Sequence, residues 1–242
     1  MAKRPVFIAS KDKNNYVMEK DINFEWFPGF SVSQKQKSID SFHDNVRKYD
    51  DSLRLLEVSS KSKDELGVAL SAFNLKITTK SGKEFSVETA FQASKVFQNG
   101  GPFLDLYEKT SKDAKKDMRI KNSGDLIYFQ FFNRRWELEP KTLFYDWLYI
   151  NALALNKRLA EKVVEYNAFT DIEFNPQKSI NCQAKSVALY VSLYKANLLD
   201  EALESVDKYK QIITQPLNKS PNENEKVTKE RIEQLSIFDE IE

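Results

Sequence analysis

The segment ETAFQASK places a carboxylate, an amide and an amine, Glu88, Gln92 and Lys95, at positions i, i+4 and i+7. On a helix these three share one face. A polar stripe of this kind beside a Phe-rich segment suits the wall of a pocket, with an acid available for proton transfer. Ser86 is a good N-cap for such a helix, so Glu88 also falls in the first turn, where the dipole favours a carboxylate by ~0.3–1 kcal/mol. Capping accounts for Glu88 alone and leaves Gln92 and Lys95 unexplained.

Other chemistries are narrowed by composition. The chain has one histidine, His43, so any Ser-His-Asp or Cys-His catalysis would have to run through it, and SIDSFHDNVRKYD reads as an exposed helix face with His43 at the surface. One cysteine, Cys182, allows no internal disulfide, and no Cys/His cluster offers a zinc site, so neither metal nor cofactor is expected. Thirty-seven basic against 36 acidic residues give a formal charge of +1, too little for a broad nucleic-acid surface. Nucleic-acid contact would have to be local. Residues 112–135 offer a basic candidate: Lys112, Lys115, Lys116, Arg119 and Lys121, then Arg134 and Arg135. Beside a pocket these could hold a diphosphate or a backbone; interleaved with Asp113 and Asp117, they read equally as a solvated face.

The elements that must position these residues follow from hydrophobic periodicity. With 242 residues, 41% of them apolar and 12% aromatic, the chain can bury one good-sized core. Short β-type runs, PVFIA and INFEWF, precede a helix over 33–50 with Ser33 as cap and Ile39, Phe42 and Val46 on its apolar face. Leu53–Leu56 with Val58, and Phe73–Thr79, read as strands, the second closed by a hairpin-like turn at 79–83. Helices are predicted from Ser86 and over 111–121, 125–133, 140–166, 179–198 and 199–213, with Pro140 in the first turn of the long one. The expected fold class is α+β: a predominantly helical single domain with a small antiparallel sheet, spanning 1–215 and including an N-terminal extension of about residues 1–52. Residues 216–242 form a polar linker and tail. No apolar run approaches the ~20 residues that span a bilayer, and the start is too short for a signal peptide, so no membrane association and a cytoplasmic location are expected.

Several short motifs fall in one order along the chain. Lys61, Gly67 and Ser71-Ala72-Phe73 come first, then Glu88, Phe91, Gln92, Ala93 and Lys95. Trp136 follows, then Asp171-Ile172-Glu173-Phe174 and Asn181 ahead of VALYVSLY. This succession resembles the signature of NADAR domains, a family of N-glycosidases, with Glu-x-x-Phe-Gln-Ala-x-Lys matched in full. Ala72 stands where the family has Asn, and NPQKSI replaces a Gly-rich turn.

The resemblance implies a catalytic set of Lys61, Glu88 and Asp171. Cleavage of an N-glycosidic bond builds positive charge at the anomeric carbon and needs a proton for the departing nitrogen, which suits two carboxylates; Lys61 could form a Schiff base at C1. Ser71, Phe73, Gln92, Lys95, Arg119, Trp136, Phe174 and Asn181 are the expected substrate contacts. Family members either hydrolyse riboflavin-pathway N-glycosides or remove ADP-ribose from guanine as antitoxins to DarT-type enzymes that modify DNA. The extended N-terminus and the basic segment favour the second use, with ADP-ribosylated DNA as substrate and a DarT-like toxin as functional partner. The alternatives are the riboflavin-pathway enzyme and a non-catalytic module that binds ADP-ribose. In the tail, Gln234, Leu235 and Phe238 are similar to peptides that dock on a replication sliding clamp; a terminal amphipathic helix is the competing reading.

Overall fold

The computed structural model of the chain describes residues 1–12 and 14–214. The tail peptide at Gln234, Leu235 and Phe238 lies outside the described residues. β1 (Ala2–Ala9) and β2 (Val17–Phe24) form an antiparallel hairpin from Ala2↔Phe24 to Ala9↔Val17. β1 also pairs antiparallel with β9 (Ala168–Thr170), and β9 pairs parallel with β3 (Leu55–Glu57), giving the order β2-β1-β9-β3. The N-terminal strands are therefore inside this sheet. α1 (Val32–Tyr49) seals one face of it, with Ile39, Phe42 and Val46 buried against Val6, Ile8, Ile22, Phe24 and Ala168. Its cap is Ser31, whose Oγ accepts the Gln34 N–H, two residues before the expected Ser33.

The remaining helices build the larger core. α2 (Glu65–Ala69) is capped by Asp64 and α3 (Val87–Ala93) by Ser86, as its sequence predicts. β4 (Lys76–Thr78) and β5 (Glu84–Ser86) pair across the expected turn, where Gly82 has φ +83. β4 is shorter than expected: Leu75 and Ile77 are buried, but Phe73 stays in the preceding turn. α4 (Ser111–Lys116) and α5 (Arg119–Asn122) replace one helix, because the Asp117 carboxylate takes the Arg119 N–H and restarts the chain.

The largest correction concerns 125–133, which is a strand and not a helix. β7 (Leu126–Phe131) sits between β6 (Lys95–Phe97) and β8 (Arg134–Trp136) in an antiparallel sheet. LIYFQF is rich in branched and aromatic side chains that fit a pleated surface and is too short to define a helical face.

α6 (Leu143–Leu155) and α7 (Lys157–Val163) break the expected 140–166 helix at Asn156, whose Nδ2 donates to the carbonyls of Ala152 and Lys76. Pro140 precedes α6 by three residues and does not enter its first turn. α8 (Gln183–Lys195) starts four residues later than expected and packs on α6 and β1. α9 (Leu199–Glu204) and α10 (Val206–Thr214) close the described chain. The fold is α+β, as the periodicity predicts, with one parallel strand pair in the four-stranded sheet. No described helix is long and apolar enough to cross a membrane.

Candidate active site

A cavity of about 830 Å³ opens between the start of α3, the turn before β4, the segment leading into α6 and the segment joining β9 to α8. The α3 wall is fixed by backbone bonds to the preceding turn: Val87 N–H donates to Leu75 O and Glu88 N–H to Ala72 O. The Glu88 carboxyl is 5% exposed and faces the cavity. A side-chain chain runs along that face at the spacing of the sequence stripe. Lys95 Nζ donates to Gln92 Oε1 at 2.8 Å, and Gln92 Nε2 donates to Glu88 Oε1 at 2.9 Å. Lys115 Nζ approaches the same Glu88 oxygen at 3.6 Å while lying 5.0 Å from the Phe73 ring centre. Burial pushes Lys95 down to about 8, the Glu88 carboxylate opposing and Lys115 reinforcing the fall.

The cavity is also lined by Asp171, one residue beyond β9. Its Oδ1 accepts the N–H groups of Glu173 at 3.0 Å and Phe174 at 3.2 Å, an Asx-type turn that points the carboxyl at the cavity. Burial first, and then the nearby Glu57 carboxylate, raises Asp171 well above the usual carboxylate range. Gln183, the first residue of α8, ties three segments together. Its Oε1 accepts the Ala72 N–H and its Nε2 donates to Val58 O, both at 2.7 Å. Gly67 explains itself at this junction: a Cβ there would lie 2.0 Å from Glu57 O and 2.5 Å from Ser62 Oγ.

Of the residues singled out in the sequence, Phe73, Glu88, Gln92, Lys95, Asp171, Phe174 and Asn181 line this one cavity. Lys61, Ser71, Arg119 and Trp136 do not. Lys61 sits on the loop that leaves β3, its N–H on Ser59 Oγ and its carbonyl accepting from Gln36 Nε2. That loop emerges at the same sheet end as Asp171, because β3 and β9 run parallel. Ser71 is buried, and its carbonyl accepts the N–H groups of Asn74 and Leu75. Arg119 is engaged elsewhere: its guanidinium takes both oxygens of Asp105 and of Asp117. Trp136 is core, 1% exposed with its ring 4.8 Å from Trp147.

His43 is also corrected. Its ring turns inward, Nε2 2.8 Å from Thr170 Oγ1, and burial lowers it to about 4. The surface reading failed because Phe42, Val46 and His43 all turn toward the sheet, and polar neighbours disguised the third. Gln183 and Glu57 were missed in the sequence. Neither has a local pattern, since each acts across more than 100 positions of chain.

The family model for the DarT1-associated NADAR antitoxin matches residues 2–223. Among curated proteins no relative matches at a significant level.

Proposed function

The chain belongs to the DarT1-associated NADAR antitoxins, and on that footing we propose that it is an N-glycosidase that removes ADP-ribose from guanine in DNA, reversing the action of a DarT1-type toxin. The observation that carries the reading is the convergence of Glu88 and Asp171 on one cavity from two different segments of the chain. In the reaction the C1–N bond breaks as positive charge grows on the sugar. Glu88 faces that charge and takes a proton from the attacking water, whose oxygen bonds to C1. Asp171, buried and disposed to hold its proton, gives it to the departing guanine nitrogen. Lys95 and Lys115 are the cations that meet the anionic part of the substrate.

The cavity sets Lys95, Lys115, Lys141 and Lys178 among carboxylates in a chain whose formal charge is only +1, which fits recognition of a single modified nucleotide and not of a long duplex. The test is an oligonucleotide carrying ADP-ribose on guanine, with release followed by chromatography. The unaltered protein releases ADP-ribose; Glu88→Gln and Asp171→Asn, still cooperatively folded, lose at least about 10²-fold. Cleavage of a riboflavin-pathway N-glycoside with no release from the oligonucleotide would overturn the substrate assignment, and tight binding of ADP-ribose without release would make the protein a binding module. Borohydride added during turnover tests the lysine route. A covalent adduct on Lys61 or Lys95 would replace direct hydrolysis by an imine mechanism.

A further inference from the structure

A polar chain, buried at Thr170 and Glu57 and half-buried at His43, runs behind Asp171 and is not used by the reaction above. His43 Nε2 lies 2.8 Å from Thr170 Oγ1, the Thr170 hydroxyl donates to Glu57 Oε2 at 2.6 Å, and Glu57 Oε1 accepts the Ile172 N–H at 2.8 Å. Glu57 thus grips residues 170 and 172, the two neighbours of Asp171, with two different oxygens. A threonine hydroxyl has one proton. With that proton given to Glu57, His43 must donate from Nε2, which fixes its tautomer.

We propose that Glu57, clamped by Thr170 and His43, is a positioning residue for Asp171: it fixes the backbone on either side of that carboxyl and sets the charge state in which it meets the substrate. This rests on the acid role given to Asp171 above.

Glu57 is 3% exposed and Asp171 7%, and two carboxyls buried this close together are strongly disfavoured from ionising at once. Burial raises both. Glu57 has the donors that favour its charged form, the Ile172 N–H, the Thr170 hydroxyl and Ser59, opposed by Glu173. Asp171 has such donors as well, the Glu173 N–H on Oδ1 and the Gln183 amide, and burial with the Glu57 carboxylate outweighs them. The other ionisable groups facing this pair are Tyr145, Tyr149 and Cys182 near Asp171, all held neutral by burial. Glu173 is itself paired with Lys35 at 3.1 Å. Around His43 stand Asp40, Asp44, Arg47 and Lys63, and burial keeps the ring neutral at physiological pH.

The test combines a pH profile with a spectrum. Glu57→Gln removes the charge that favours a proton on Asp171, so the alkaline, descending limb of kcat/KM on the modified oligonucleotide should move to lower pH, with KM little changed. The chain's single histidine makes ¹⁵N NMR unambiguous. In the unaltered protein near neutral pH it should show a neutral ring protonated on Nε2. In Glu57→Gln, the amide oxygen takes the Ile172 N–H and the NH₂ faces Thr170, so the hydroxyl turns to His43 and the tautomer inverts to Nδ1–H. A limb that does not move while Asp171→Asn is inactive overturns the inference and leaves the role of Asp171 standing. An active Asp171→Asn instead overturns the reading of the site. Should Glu57→Gln not fold, an imidazolium or an Nδ1–H ring in the unaltered protein is by itself enough to reject the chain.

Discussion

Lys95→Met should make the protein more stable near neutral pH while removing a cation from the cavity. Burial moves the Lys95 amine from 10.5 to about 8. At about 1.4 kcal/mol per unit, keeping it charged in the folded protein costs about 3 kcal/mol near pH 7. Methionine has no charge to bury and keeps a flexible apolar stem beside Phe91, whose ring centre lies 4.7 Å from the amine. It loses the hydrogen bond to Gln92 Oε1, worth about 1 kcal/mol. The net gain is about 2 kcal/mol, a rise in Tm of roughly 4–8 °C for a chain of this size.

The pH dependence gives the sign. Between the folded value of about 8 and the unfolded 10.5, the unfolded chain holds more protons at this site, so its contribution to stability climbs as pH rises through that window. The advantage of Lys95→Met should therefore shrink with rising pH and vanish by the upper end of the window. Urea midpoints of both proteins, measured side by side from near neutral to alkaline pH, read this directly. A variant less stable near neutral pH, or a difference that stays constant with pH, would refute the account of a strained, buried ammonium.

Three further outcomes are expected. Gly67→Ala drives a Cβ into Glu57 O, 2.0 Å away, and should cost about 3 kcal/mol or more by displacing the end of β3, seen as a lowered Tm. Gln183→Leu strands the Ala72 N–H and the Val58 carbonyl and should cost about 2–5 kcal/mol in chemical denaturation. Trp136→Ala should cost about 3–5 kcal/mol, the penalty of an emptied core position, checked by calorimetry.

How much of this was legible in the sequence depends on the range of the interaction that decides each feature. The α3 stripe was readable because Glu88, Gln92 and Lys95 answer to helical spacing and a local cap, and their hydrogen-bond chain follows that spacing. The same held for α1 and the turn at 79–83, where period and turn chemistry act within a few residues. LIYFQF was misread because a six-residue apolar run has no period of its own; its state was fixed by β6, some thirty positions away. Arg119 and Trp136 show the limit for single residues. A guanidinium among lysines looks like an anion site until Asp105 and Asp117 are found holding it, and a tryptophan in a family motif is as well explained by Trp147 and Phe144 around it. The site's second wall was least legible of all. Asp171 is an ordinary Asx turn in sequence; what raises its carboxyl is burial first and then Glu57, 114 positions earlier, brought beside it because β3 and β9 run parallel.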